Sequence, residues 1–247
     1  MRRRSDLSSL LTFGGRVPAS VGALVALMVL ATVVAAVDGS RQVISRAALL
    51  PAAVWPGGQL WRLVTWPFIQ DNVLSLLFGG YMIWSVGQQL SYTWSERRFV
   101  ARIAAWTLGA GAGTVLLAQV WDWASLPHIG IWPIALAMLV AWAMVFPDQQ
   151  TSFWGVLPMT GRTLALIAAG LTVLSGLMNG GVRGIGTVTP HLLAMGIAWA
   201  QSRAGVGGGR SWRQAKRWWA DREAKRRSRH LKVVKKNGSD GRSDWLN

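Results

Sequence analysis

A single histidine, His191, lies within a hydrophobic stretch of a chain that keeps nearly all of its other ionisable side chains out of such stretches. An ionisable group is costly in hydrocarbon, so a histidine in a membrane segment indicates a functional site by default. An imidazole at such a place can act as a general base that activates a nearby hydroxyl as a nucleophile. The chemical question is therefore which side chain is the partner of His191.

The elements that must position His191 are hydrophobic segments. Of the 247 residues, 51% are hydrophobic, which excludes an ordinary soluble enzyme. Six runs with few or no charges approach the length of about 20 residues that a membrane helix needs. They are Val17–Val37, Val73–Leu90, Val100–Val120, Ile129–Phe146, Thr163–Met178 and Thr187–Ala200. We predict an all-α fold, a polytopic membrane bundle of six transmembrane helices. Because the last two runs are short and flanked by glycine, four or five spans are the alternatives.

Basic residues predict the orientation, because Lys and Arg near span ends mark the cytoplasmic side. Arginines precede the first span, cluster between the second and third, and lie between the fourth and fifth: Arg2, Arg3, Arg4, Arg16, Arg97, Arg98, Arg102 and Arg162. The loops on the other side carry fewer: Arg41, Arg46, Arg62 and Arg183. We therefore predict a multi-pass protein of the cell membrane with both termini in the cytoplasm.

The net charge of +16 is concentrated at the C-terminus, since fourteen of the 26 Lys and Arg residues lie from Arg203 onward, against four acidic residues. We predict a membrane domain over residues 1–202 and a basic cytoplasmic tail over residues 203–247. A helix predicted at Ser211–His230 places Trp212 and Trp219 on one face, a pattern typical of contact with anionic lipid headgroups. A tail that only fixes topology is the simpler alternative and outweighs lipid contact. Nucleic-acid binding is the least favoured one, because no RNA-binding motif accompanies the charge.

Cofactor and metal chemistry has little support in the sequence. The chain has no cysteine, which excludes thiol nucleophiles and thiolate metal sites. His128 lies near a span end, but no carboxylate or second histidine stands at helical ligand spacing from it. We predict neither a metal site nor a cofactor.

The segment Gly58–Gly87, which contains Trp61 followed by Arg62, resembles the first loop and second helix of the rhomboid family. The turn after it, from Gln89 to Phe99, is similar as well, and the resemblance covers about residues 10–202. It implies six spans, both termini inside, and a Trp-Arg loop that lies in the membrane interface.

Rhomboid proteases cut transmembrane segments with a serine in a Gly-x-Ser-Gly motif at the start of the fourth helix and a histidine in the sixth. His191 matches that histidine. The motif position reads Gly130–Pro133 here, so Trp132 occupies the place of the nucleophile, and Ile129–Phe146 contains no Ser, Thr or Cys. Ser75 and Gly79 stand where rhomboids tend to carry a histidine and an asparagine that stabilise the oxyanion.

The resemblance therefore implies a rhomboid-like pseudoprotease without catalytic residues, in which Trp132 fills the former active-site cavity. Such a protein would bind or stabilise transmembrane helices of client proteins through a lateral opening near the second and fifth spans. The alternative is an active intramembrane serine protease with a displaced nucleophile, drawn from the hydroxyls in or near spans: Ser75, Ser85, Thr107, Thr114, Ser175, Thr187 and Thr189. A third class, a small solute carrier, would show paired polar residues at mid-membrane; we find none apart from His191.

Overall fold

The structure, a computed structural model, describes residues 17–38, 41–147, 150–153, 157–181 and 183–204. Its elements in chain order are α1 (Ala19–Val37), α2 (Gln42–Ala47), α3 (Pro51–Val54), α4 (Arg62–Thr65), α5 (Val73–Trp94), α6 (Glu96–Val120), α7 (Trp132–Val145), β1 (Gln150–Phe153), β2 (Leu157–Thr160), α8 (Gly161–Met178) and α9 (residues 183–204). The helical architecture predicted from the sequence is confirmed. One short antiparallel hairpin, β1 with β2, joins α7 to α8 and was not predicted.

Three helices of the described part of the chain are long and apolar enough to cross a membrane: α1, α6 and α8. The helix α7 is apolar but has only 14 residues. These helices show a membrane protein, whereas the count of six spans remains a prediction. The N-terminal arginines Arg2, Arg3, Arg4 and Arg16 and the predicted tail helix Ser211–His230 lie outside the described residues, as does nearly all of the predicted 203–247 domain.

The helix α7 lies at the centre of the bundle, since ten of its 14 residues are buried. A peripheral helix such as α1 buries one narrow stripe instead, at Val21, Met28 and Ala35. This seven-residue spacing is typical of a helix that packs along one seam and exposes the rest. Met28 contacts α5 at Gly80, where a Cβ atom would lie 3.2 Å from the Met28 Cε atom. In contrast to α1, the helix α7, which begins at Trp132, is surrounded by neighbouring helices and loops, as the burial of ten of its residues shows.

The helix boundaries differ from the predicted spans by up to four residues. The hydropathy pattern starts the fourth span at Ile129, but α7 begins at Trp132. Gly130 has a φ of 102°, a left-handed conformation that an L side chain rarely adopts and that no α-helix contains. Gly130 and its neighbours therefore form the turn that precedes α7. At the end of α5 and at the start of α6, polar residues extend the helices beyond the predicted hydrophobic runs. The helix α5 therefore continues to Trp94, and α6 begins at Glu96.

Candidate functional site

The start of α7 and the first turns of α5 form the site at which the sequence predicted a lost nucleophile. The indole Nε1 atom of Trp132 donates a hydrogen bond to the Ser75 Oγ atom at 3.2 Å. Ser75 belongs to the first turn of α5, which Asn72 caps by accepting from the Ser75 backbone N–H at 2.7 Å. Trp132 thus joins α7 to α5. In the alignment with rhomboids, Trp132 matches the nucleophile and Ser75 matches a residue that stabilises the oxyanion.

Gly79, the second matched oxyanion position, is covered by the residue before Trp132. A Cβ atom on Gly79 would collide with the Ile131 Cγ2 atom, so the isoleucine side chain lies directly on the glycine. Ile131 is 1% exposed and Gly79 is buried. Two side chains of the aligned motif, Ile131 and Trp132, therefore occupy the surface of α5 where Ser75 and Gly79 lie.

Gln70 fixes this turn and was missed by the sequence analysis. Its Oε1 atom accepts from the Ile131 backbone N–H at 3.2 Å, and its Nε2 atom donates to the Pro67 carbonyl at 3.0 Å. The Gly130 N–H also donates to the Trp66 carbonyl at 3.0 Å. Buried polar groups need such partners. A glutamine in a loop carries no pattern that predicts this role, because its partner is 61 residues away in sequence.

His191 lies in α9, as predicted; its buried Nδ1 atom makes no hydrogen bond of ordinary geometry among the described residues, and the imidazole's one backbone neighbour of note is Val188 in the same helix. The nearby hydroxyls of α9 are engaged within their own helix: Thr187 donates to the Gly184 carbonyl and Thr189 to the Ile185 carbonyl. Thr114 of α6 likewise donates to the Ala110 carbonyl. Across residues 17–204, as far as they are described, no hydroxyl is hydrogen-bonded to His191.

The structure brings His128 close to His191, which the sequence analysis did not predict. The two imidazoles lie near enough that a positive charge on one would act on the other. His128 lies in the loop before α7, pairs through its backbone with Leu49 at 2.9 Å in both directions, and has an unpartnered Nε2 atom. Burial lowers the pKa of His128 to about 4, so its imidazole is neutral at pH 7. No group of three metal-ligating side chains occurs among the described residues.

The Trp61-Arg62 pair organises the loop between α1 and α5. Arg62 is 6% exposed, and its guanidinium donates to the Ser45 and Ala48 carbonyls at 2.6 Å each and to the Gln59 Oε1 atom at 2.6 Å. Trp61 is 55% exposed and donates from Nε1 to the Arg46 carbonyl at 3.2 Å. The arginine therefore bonds backbone carbonyls inside the loop, while the indole lies at its surface.

Open space lies elsewhere in the bundle. A cavity of about 360 Å³ between α6 and α9 is lined by apolar side chains that include Trp121 and Trp123. These two rings stack with their centroids 5.4 Å apart. Neither Trp132 nor His191 lines this cavity.

Residues 20–203 match the family described as "Eukaryotic integral membrane protein (DUF1751)". The chain belongs to this family. The DUF1751 match supports a membrane protein of the rhomboid-like kind, in agreement with the resemblance carried by Trp61, Arg62 and His191. No curated protein matches the chain.

The DUF1751 match covers the described helices, apart from the first residue of α1 and the last of α9, and the whole of the site just described. It supports localisation in a membrane and agrees with the apolar helices α1, α6 and α8. It assigns no chemistry to Trp132, Ser75, Gly79 or His191. The roles of these four residues rest on the alignment with rhomboids and on their contacts.

Proposed function

We propose that this DUF1751 protein is a catalytically inactive, rhomboid-like membrane protein that binds or stabilises the transmembrane helices of client proteins. The observation that carries the first half of the proposal is the hydrogen bond from the Trp132 indole to Ser75. The alignment with rhomboid proteases matches Trp132, a bulky donor with no nucleophilic atom, to their serine, and this bond ties Trp132 to the matched position Ser75. The protein crosses the cell membrane six times with both termini in the cytoplasm.

The chemistry of peptide-bond cleavage supports this assignment. A serine or threonine becomes a nucleophile only when a base accepts its proton, and the two groups must lie within hydrogen-bond reach. His191 has an unpartnered Nδ1 atom, and the hydroxyls of Thr187, Thr189 and Thr114 donate to backbone carbonyls. A protease with a displaced nucleophile, the competing function, would need one of these three hydroxyls to leave its carbonyl or another hydroxyl to approach His191.

The exposed faces of α5 and α8 support client binding. Large apolar side chains project from α5 and from α8: Leu74, Leu77, Phe78 and Tyr81 on the first, and Leu166, Leu171, Leu174 and Met178 on the second. In a bilayer, lipid tails are as apolar as these side chains, so a foreign helix binds there through close packing. These two helices are the ones that flank the lateral opening implied by the rhomboid resemblance. The client-binding half rests on that analogy and on these faces.

Site-specific photocrosslinking in native membranes tests client binding. A photoreactive residue is placed at Phe78 on α5 or at Leu171 on α8, and at Val34 on α1 as the control. All three side chains are exposed, at 47%, 59% and 58% respectively. We expect adducts at Phe78 and Leu171 that map by mass spectrometry to transmembrane segments of other proteins, and lipid adducts alone at Val34.

Lipid adducts alone at all three positions would contradict client binding. Equal protein capture at Val34 would also contradict it, because the contact would then be unrelated to the α5 and α8 faces. The basic tail is proposed as a contact for anionic headgroups or for clients, and its removal is expected to leave the adducts at Phe78 in place.

A further inference from the structure

We propose that Arg98 and Arg102, held beside Trp94 at the first turns of α6, bind the phosphate of an anionic phospholipid headgroup. The two arginines belong neither to the Trp132 and His191 region nor to the basic tail, of which only the first residue, Arg203, lies at the same end of the bundle. This site stands independently of whether the protein binds clients.

Arg102 is fixed by an aromatic side chain. Its guanidinium lies 3.9 Å from the centroid of the Trp94 ring, and Trp94 is 8% exposed. Trp94 in turn packs edge-to-face against the fully buried Trp106, with the ring centroids 6.2 Å apart. A guanidinium that stacks by its face on an indole keeps its N–H donors free in the ring plane, where they can bind the oxygens of a phosphate.

Arg98 stands one helical turn before Arg102 and repels it. The charged side chain that acts on the Arg102 guanidinium is Arg98, and no carboxylate of the described residues compensates this repulsion. Like charges four residues apart destabilise a helix. An anion that bridges the two guanidinium groups removes this repulsion, and the exposed side chain of Arg98 leaves it accessible.

The length of α6 places these arginines at headgroup depth. Its 25 residues extend over about 38 Å, against a hydrocarbon core of about 30 Å. The apolar part begins after Arg102, so the excess length belongs to the turns that carry Arg98 and Arg102. A second stacked pair lies at the same end of the bundle: the Arg203 guanidinium is 4.1 Å from the Trp199 ring centroid in α9. Trp106 joins the two pairs by donating to the Gln201 Oε1 atom at 3.0 Å.

A phospholipid fits this arrangement better than a soluble anion. Basic sites between membrane helices at headgroup depth bind anionic lipid headgroups. The acyl chains of such a lipid would lie along the exposed apolar side chains of α6, which include Leu108 and Leu116. A free phosphate offers the same oxygens but gains nothing from that surface.

Native mass spectrometry of the full-length protein in detergent tests the site. Phosphatidylglycerol is titrated, with phosphatidylcholine as the zwitterionic reference, and the dissociation constant of the first bound lipid is measured. We expect wild type to prefer phosphatidylglycerol, and R98Q/R102Q to bind it about 25-fold more weakly, at about fivefold per arginine. The matched control is R97Q/R183Q, which also removes two positive charges, both from exposed arginines, but changes neither Trp94 nor Arg102.

Equal losses in the two double variants would overturn the proposal, because binding would then follow total charge alone. An unchanged constant in R98Q/R102Q would overturn it too. Glycerol phosphate, added as a competitor, distinguishes the two sources of the anion: displacement of the lipid at equal concentration would show a free-anion site instead. If R98Q/R102Q fails to fold, R98Q alone removes only an exposed side chain, and a loss of about fivefold is expected.

Discussion

The loop around Arg62 and the region around His191 are the two parts of this chain that most resemble a rhomboid, and they differ in how their polar groups are bonded. Three hydrogen bonds of 2.6 Å hold the buried Arg62 guanidinium. His191, by contrast, has a buried Nδ1 atom without a partner in the described residues. A structural arginine needs only the acceptors of its own loop for its hydrogen bonds, whereas a catalytic base needs a second side chain that serves as the nucleophile. The proposed inactivity is consistent with this difference, because the loop does not depend on a partner for His191.

Arg62→Ala is expected to give the largest effect. It leaves the part-buried Ser45 carbonyl and the buried Ala48 carbonyl without their donor, and we expect the free energy of unfolding to fall by about 3 kcal/mol. Steric trapping in bicelles measures this change. The matched control is Arg46→Ala, which removes an exposed arginine from the same loop and should change stability by less than about 0.5 kcal/mol. Equal effects of the two changes would contradict the role of Arg62.

The pH dependence of stability tests the region around His191, because His128 lies beside it. His128 takes up a proton near the ordinary histidine pKa of 6.5 in the unfolded chain, but its pKa in the folded chain is about 4, because burial disfavours the charge. The unfolded form therefore binds more protons between these values, and stability falls as the pH falls. We expect a loss of about 2 kcal/mol between pH 7 and pH 4.5. In His128→Asn this part of the pH dependence should disappear; its persistence would show another titrating group.

Gly79→Ala tests the contact between Gly79, which the alignment matches to an oxyanion position of rhomboids, and Ile131. The added Cβ atom meets the Ile131 Cγ2 atom, and we expect a loss of about 1 to 3 kcal/mol in the free energy of unfolding. Gly170→Ala in α8 is the matched control, since its Cβ atom has open space, and it should be neutral or slightly stabilising. The double variant with Ile131→Ala should show positive coupling with Gly79→Ala. Additive effects would mean that Ile131 does not lie on Gly79.

His191→Leu is expected to give the smallest effect and to contrast most with Arg62→Ala. Removing an unpartnered buried nitrogen relieves a desolvation cost, so stability should change by less than about 1 kcal/mol, or rise. Thermal unfolding monitored by circular dichroism measures the change. A loss comparable to that of Arg62→Ala would show that His191 bonds a partner in the membrane.

The sequence predicted the long helices, because hydrophobic run length carries that information. Trp132 and His191 lie in α7 and α9, near where the runs place them. The turn at Gly130 was missed, since its positive φ is set by tertiary contacts with Gln70 and Trp66. The proximity of His128 and His191 was missed for the same reason: 63 residues separate them, and no helical spacing connects them.

The hairpin Gln150–Thr160 was also missed. A four-residue strand is too short to show an alternating pattern, and a polar connection between two membrane helices gives no other signal. The short helices α2, α3 and α4 escaped prediction in the same way. Their positions follow from the bonds of Arg62 and from the pairing of Leu49 with His128, which join segments distant in sequence.

The most direct measurement is proteolysis by the purified protein in liposomes. Transmembrane substrates are incubated with wild type, with His191→Ala and with an active rhomboid protease as the positive control, and a fluorophosphonate probe reports any activated serine. We predict no cleavage and no covalent labelling by either form of this protein. Cleavage or labelling that wild type shows and His191→Ala loses would contradict the proposed inactivity.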